Sequence, residues 1–173
     1  MRGRKGVARR FRGEFRQKVD TKGRVSIPAQ FRRVLERGDP GWSDGKLPDF
    51  VIFYGDIRKS YIQCFTIEAF EQVEAGIERL PRSSPKRKAL EDLYNGHSTQ
   101  VTVDDTGRIV LSKKLRERVG LGAEAYFIAS GDTFQLWDNA TYEKEKGGNP
   151  LAWLEEMPED FDPLSYVDEA QGD

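Results

Sequence analysis

Apolar residues along the chain switch between a period of two and a period of about three and a half. Phe15, Gln17 and Val19 alternate with charged neighbours, as a half-buried strand does. Asp20-Thr21-Lys22-Gly23 reads as a turn, because aspartate can bond the backbone ahead of it and glycine supplies positive φ. Val25 and Ile27 form a return strand, so a hairpin is expected with Arg24 just past its tip. Pro28 suits the opening of a helix. Phe31, Val34 and Leu35 give that helix one apolar stripe, and Gly38 is placed to cap its end. Val51-Ile52-Phe53-Tyr54 and Tyr61-Ile62-Gln63-Cys64-Phe65 read as two further strands around Gly55-Asp56.

The same succession then returns. Val101 and Val103 lead to a turn at Asp105-Thr106-Gly107, a strand with Ile109 and Leu111, and a helix carrying Leu115 and Val119. Ser112 is placed to cap the start of that helix and Gly120 to end it. Tyr126-Phe127-Ile128 and Phe134-Gln135-Leu136-Trp137 follow as strands. Asp-x-x-Gly-Arg at Asp20, Gly23 and Arg24 recurs 84 residues later at Asp104, Gly107 and Arg108. Downstream, Ile62-Gln63-Cys64-Phe65 aligns with Phe134-Gln135-Leu136-Trp137. The first copy is longer, and most of its excess is a turn-rich loop insertion at 38–48.

Between the copies, Ile67, Phe70, Val73, Ile77 and Leu80 fall at helical spacing. A break at Pro81 to Pro85 precedes a second helix with Leu90, Leu93 and Tyr94. Another helix begins near 140. From Gly147 the chain is acidic and proline-interrupted, with a helical turn expected at Leu151, Leu154 and Met157. The organisation expected is a flexible basic leader (1–13), a repeat (14–69), a helical linker (70–97), a second repeat (98–141) and a C-terminal helix with an acidic tail (142–173). The fold class is mainly β with short helices, α+β, as two β-α-β repeats packed pseudo-symmetrically. A unit of roughly 45 residues rarely buries a self-sufficient core, so the copies should pack on one another or on other chains.

Charge changes the picture. Residues 1–37 hold 13 Lys/Arg against 3 Asp/Glu, while 138–173 hold 2 against 11. With the repeated Gly-Arg turn, the basic end reads as an electrostatic footprint for nucleic acid, and the acidic end as a solubilising tail. A single cysteine, Cys64, excludes an intrachain disulfide and sits in an apolar strand as core filling. No apolar run approaches a membrane span, and the basic start lacks the apolar stretch of a signal peptide. A cytoplasmic, nucleoid-associated protein is expected.

Chemistry narrows further by what is missing. His97 is the only histidine, so no histidine-rich metal site can form within one chain, and it reads as a loop or strand-entry residue. Asp104-Asp105 taken alone suggests magnesium, but the aligned pair is Asp20-Thr21, so the second carboxylate is not part of the repeated design. There is no Walker loop or Rossmann fingerprint. No enzyme, cofactor, metal, membrane or small-molecule substrate is expected.

One Asp-x-x-Gly-Arg could simply be a turn whose arginine pairs with its aspartate. Two copies in one frame favour Arg24 and Arg108 as planar, permanently charged groups for phosphate or guanine edges. Asp20, Gly23, Asp104 and Gly107 then order the turns. Lys22 adds charge where Thr106 offers only a hydroxyl, so the second copy should grip DNA backbone less strongly. Arg12 is counted with the DNA-binding residues.

Phe11-Arg12-Gly13-Glu14-Phe15, Val19 to Pro28, Phe31-Arg32, and Gly107-Arg108-Ile109 through Val119-Gly120-Leu121 resemble the MraZ family over roughly residues 11–143. That resemblance implies two AbrB-like swapped-hairpin repeats, ring-like homo-oligomers larger than a dimer, and regulation of transcription. It also implies double-stranded DNA as partner, at repeated sites upstream of the division and cell-wall gene cluster, the protein's own promoter included. The family's DNA-contacting arginine falls on Arg24, with Lys22 beside it and Arg108 as the repeat-related counterpart. The leader before Phe11 is longer than usual, making Met1 either an early start or the head of an additional DNA-binding arm. Ser112-Lys113-Lys114 stands where the family often has a proline, and 38–48 and the stretch after 147 lie outside its pattern. The rivals are an AbrB-fold antitoxin, against which the full second copy argues, and a structural ring or scaffold using its arginines only for subunit contacts.

Overall fold

The first copy builds β1 (Glu14–Lys18), β2 (Arg24–Ser26), α1 (Ala29–Arg37), β3 (Asp49–Phe53) and β4 (Tyr61–Thr66). Helices α2 (Ile67–Glu78) and α3 (Pro85–Tyr94) follow. The second copy builds β5 (Ser98–Thr102), β6 (Arg108–Val110), α4 (Lys113–Val119), β7 (Glu124–Ser130) and β8 (Thr133–Asp138), and α5 (Asn139–Glu145) comes after it. The fold is α+β, with antiparallel strands and short helices, as the patterning predicts. These elements come from a computed structural model that describes residues 9–146 and 150–172. The first eight residues of the basic leader, and residues 147–149 and 173, lie outside the described residues.

The pairing differs from the expected local hairpin. β1 and β2 form no ladder among the described residues: just past the end of β1 there is a single Val19–Val25 bridge, and the Asp20 N–H donates to the Arg24 carbonyl at 3.1 Å. β1 instead pairs with β7, and β2 with β6. Alternation specifies which face a strand buries, not which antiparallel partner it takes. Here the partner comes from the other copy. Six strands run in the order β1-β7-β8-β4-β3-β5, which reads the same from either end when the copies are exchanged. The central register sets Gln63 opposite Gln135, and the separate ribbon sets Val25 opposite Ile109. Both are aligned positions, so a pseudo-twofold axis passes through both pairs.

This exchange makes one core from two copies. Phe31, Val34 and Leu35 of α1 and Leu115 and Val119 of α4 pack with Val25, Ile27, Ile109 and Leu111 against one face of the sheet. Phe31 is fully buried, with Phe11, Phe15 and Phe134 rings 4.9–5.3 Å away. Cys64 lies in this core, and burial pushes its thiol well above the usual range, which keeps it unreactive. On the opposite face α2 covers Val51, Phe53 and Phe65 of β3 and β4, while Tyr142 of α5 covers Tyr126 and Trp137.

Helix ends follow side-chain chemistry. The hydroxyls of Thr66, Ser84 and Ser112 accept from the backbone N–H three residues on, capping α2, α3 and α4. Gly120 ends α4 with φ +61. Gly38 ends α1 as expected, at φ −88 and so without the left-handed backbone of Gly120. It is glycine for a different reason: a Cβ there would run into the Thr66 side chain. The 38–48 insertion is organised by Asp39, which accepts the N–H groups of Gly41 and Asp49 at 2.9 Å, and by the Trp42 indole, which donates to the Lys46 carbonyl at 2.7 Å.

Contacts divide the chain after Tyr142. The second unit holds α6 (Ala152–Glu155) and α7 (Ser165–Gln171), with Tyr166 ringed by Phe161 and Trp153 at 5.5 and 6.3 Å. The turn expected around Leu154 is formed, the Leu154 N–H donating to Leu151 and the Met157 N–H to Leu154. Among the described residues no helix is long and apolar enough to cross a membrane.

Candidate nucleic-acid interface

The β2–β6 ribbon turns Val25 and Ile109 into the core and Arg24, Ser26, Arg108 and Val110 outward. Arg24 lies opposite Val110, and Ser26 opposite Arg108. The two arginines are therefore diagonal neighbours on one outer face, about 7–8 Å apart at the backbone. Exchange of strands, not sequence proximity, brings the two copies' arginines together.

Each arginine rises from a turn built by its aspartate. Asp20 Oδ1 accepts the Lys22 and Arg24 N–H groups at 3.0 and 2.9 Å, and the Gly23 N–H closes on the Asp20 carbonyl at 3.0 Å. Asp20 Oδ2 accepts Arg24 Nε at 2.6 Å. The turn-pairing reading of the motif is thus realised in the first copy. The pair engages Nε, while the two terminal amino groups of Arg24 make no hydrogen bond among the described residues. The guanidinium is held at its base with its outer edge presented, the arrangement a bidentate contact needs. Lys22 stands exposed at the turn.

The second copy clamps its arginine differently. Arg108 Nε donates to Thr106 Oγ1 at 2.8 Å, and that hydroxyl donates to Asp104 Oδ1 at 2.7 Å. The Asp104 carboxylate itself stands 3.8 Å from Arg108 Nε. Thr106 is thus engaged inside the turn, its hydroxyl relaying arginine to aspartate.

Hydrogen bonds from the Arg24 backbone, then its side chain, hold the Asp20 carboxyl below its ordinary value. The Arg108 backbone, then the Thr106 hydroxyl, do the same to Asp104. A carboxyl depressed in the folded state stabilises it above the unfolded value of 3.8 and stops doing so as pH falls through the folded value. Both turns should therefore stay ordered at pH 4 and loosen only in stronger acid. Amide shifts of Gly23 and Gly107 followed against pH check this, and midpoints at or above 3.8 would contradict it.

Arg12 does not join this face. It lies before β1, where the Phe11 N–H donates to the Gly131 carbonyl and the Ala129 N–H to that of Gly13. The turn at Asp20 lies beyond the other end of β1, roughly 20–25 Å away at strand rise. Arg9 pairs with Glu68 in the first turn of α2, so the described end of the leader is also fixed away from the ribbon.

Sequence reasoning missed three arginines. Arg118 donates to the carbonyls of Tyr54, Asp56 and Lys59, fixing the loop between β3 and β4. Arg87, buried, donates to the carbonyls of Glu78 and Leu80 and so closes the C-terminus of α2. Neither residue has a repeat signature. Arg116, which packs against the first turn, does: it aligns with Arg32. His97 precedes β5 with Nδ1 2.7 Å from the Asp92 carbonyl. No group of three or more His, Cys, Asp or Glu among the described residues could hold a metal ion.

Comparison with known proteins gives this geometry a context. Residues 95–146 match the family described as "MraZ protein, putative antitoxin-like". A protein of Ruegeria pomeroyi named "Transcriptional regulator MraZ" is 55% identical over 166 residues, covering 96% of this chain and 99% of its own length. Proteins of the same name from Cereibacter sphaeroides and Coxiella burnetii are 44% and 32% identical, over 94% and 88% of this chain. The Ruegeria match covers 96% of this chain and so extends over most of the stretch after 147. The chain belongs to the MraZ family, whose matching members are named as transcriptional regulators and not as enzymes.

Proposed function

We propose that the chain is a sequence-specific DNA-binding regulator whose reading surface is the outer face of the β2–β6 ribbon. The observation that carries this is the pair of clamped arginines, Arg24 and Arg108, set side by side by strand exchange. A two-stranded ribbon fits the major groove of B-DNA, and an arginine fork matches the O6 and N7 acceptors of guanine. Lys22 supplies a phosphate contact beside the first arginine. Arg12 and the leader belong to the wider positive field of the N-terminal half. The resemblance suggests targets at repeated sites upstream of the division and cell-wall gene cluster, including the protein's own promoter, and a nucleoid-associated location.

A gel-shift with the DNA upstream of the protein's own gene, at physiological salt, tests the reading. A retained complex is expected, whereas free DNA throughout the titration would favour a scaffold. The family's description as antitoxin-like favours a second reading, an antitoxin, which a stoichiometric small basic toxin in a pull-down would support.

Assembly belongs to the same proposal. Strand exchange satisfies the core within one chain, so association rests on unlike outer surfaces, with α2 and α3 over β3 and β4 but α5 alone over β7 and β8. Contacts between unlike surfaces close into rings when the rotation permits. Sedimentation should show a homo-oligomer larger than a dimer, and a concentration-independent monomer would contradict it.

A further inference from the structure

We infer that Arg32 and Arg116 are crosswise positioning residues, each holding the arginine-bearing turn of the other copy. The side chain that sets the geometry around Arg24 would then come from the second repeat. Four observations carry this, and the link to DNA rests on the function proposed above.

The first is close approach. Gly23 has φ +83, and a Cβ built on it would run into the Leu111 carbonyl and lie 3.0 Å from Arg116 Nε. Gly107 has φ +78, and a Cβ there would overlap the Arg32 guanidinium. The glycines therefore do more than allow left-handed backbone, because they leave room for an arginine from the other copy to lie against the turn. The second observation is that Arg116 Nη1 reaches the Thr21 carbonyl at 3.4 Å.

The third is that Nε of both Arg32 and Arg116 is buried without a hydrogen-bond partner among the described residues. A buried donor left unpaired calls for a specific explanation. Each Nε lies instead against the opposite turn's glycine, 3.0 Å (Arg116) and 3.2 Å (Arg32) from where a Cβ would stand, so the same close approach recurs at both aligned positions. The fourth is that the backbone crosses in the same sense. The Leu111 N–H donates to the Gly23 carbonyl at 2.8 Å, and the Ile27 N–H to the Gly107 carbonyl at 2.9 Å. Each turn is thus stitched on two sides to the copy that does not contain it. An exposed turn so walled is pre-organised, which lowers the ordering cost of binding.

Amide hydrogen exchange of the full chain without DNA tests the crossing directly. Arg116→Met should speed exchange at Gly23, Arg24 and Leu111 by about tenfold, leaving Gly107 and Arg108 unchanged. Arg32→Met should do the converse at Gly107, Arg108 and Ile27. Loosening of the same copy's turn, or of neither, overturns the proposal. Should either Met variant fail to fold, Arg116→Lys and Arg32→Lys keep stem and charge but not the flat fork, and the same crossed pattern is required of them.

A DNA titration separates positioning from direct contact. Arg116→Met should weaken binding more than Arg32→Met, by about fivefold or more, with the salt dependence of the wild type. A log–log salt slope smaller by about 0.9 together with unchanged exchange would mean that the arginine grips a phosphate itself, and would overturn the proposal. A wild-type chain that binds no DNA removes the functional reading alone, since the exchange pattern is read without DNA.

Discussion

Replacing Arg24 with alanine is expected to reduce specific DNA affinity by on the order of 1–3 kcal/mol, roughly five- to 150-fold. Its side chain is half-exposed and its neighbour Val25 carries the ribbon's core contact, so the substitution removes a donor fork without opening a cavity. Fold and assembly should persist, and Asp20 should still order the turn through the Lys22 and residue-24 N–H groups. Arg108→Ala should be milder. Its turn carries no Lys22 equivalent, and its fork is held by a neutral hydroxyl. Fluorescence anisotropy on the same duplex checks both, and a well-folded Arg24→Ala protein of wild-type affinity would place the reading surface elsewhere.

Spacing between operator boxes should matter still more. The proposed oligomer would present the ribbon several times, and linking weak sites raises avidity by about 10²–10⁴ when geometry allows simultaneous engagement. Boxes should recur about one helical turn apart, roughly 10–10.5 base pairs, so that all face one side of the duplex. Inserting half a turn between them should forfeit most of that avidity, while inserting a whole turn should cost much less. Affinity should also fall steeply with salt as phosphates exchange counterions for protein. Equal binding to half-turn and whole-turn insertions would show that the ribbons act singly.

Much of this arrangement is legible in the sequence because it occurs there twice. The doubled Asp-x-x-Gly-Arg gives the turns, the stripe at Phe31, Val34 and Leu35 gives α1, and Ser112 and Gly120 bound α4 as their chemistry predicts. Strand partners are not legible in the periodicity, and only the family resemblance, with its swapped-hairpin repeats, points to exchange. Val25 and Ile27 would bury the same face whether they paired with β1 or with β6, so periodicity has no means of distinguishing a local hairpin from an exchanged one. That difference decides the candidate site, since only exchange sets Arg24 beside Arg108. Thr106 shows a second limit. A hydroxyl in place of Lys22 reads as a weaker phosphate ligand, yet its geometry makes it the clamp on Arg108. Arg32 and Arg116 did carry a signal, being the same residue at aligned positions, but their role against the opposite glycine appears only in three dimensions. Arg12 shows the converse, because closeness to Arg24 in sequence becomes distance along β1.

The most direct measurement of the central claim is the affinity of the full-length protein, at physiological salt, for the DNA upstream of its own gene. It is set against a length-matched unrelated duplex and repeated with the Arg24→Ala, Arg108→Ala double variant. Specific readout by the ribbon predicts a preference for the upstream DNA of about 10³-fold or more, which the double variant largely loses while keeping its fold and its residual non-specific binding. Equal affinity of the wild type for both duplexes, or a preference undiminished without the two arginines, would contradict it.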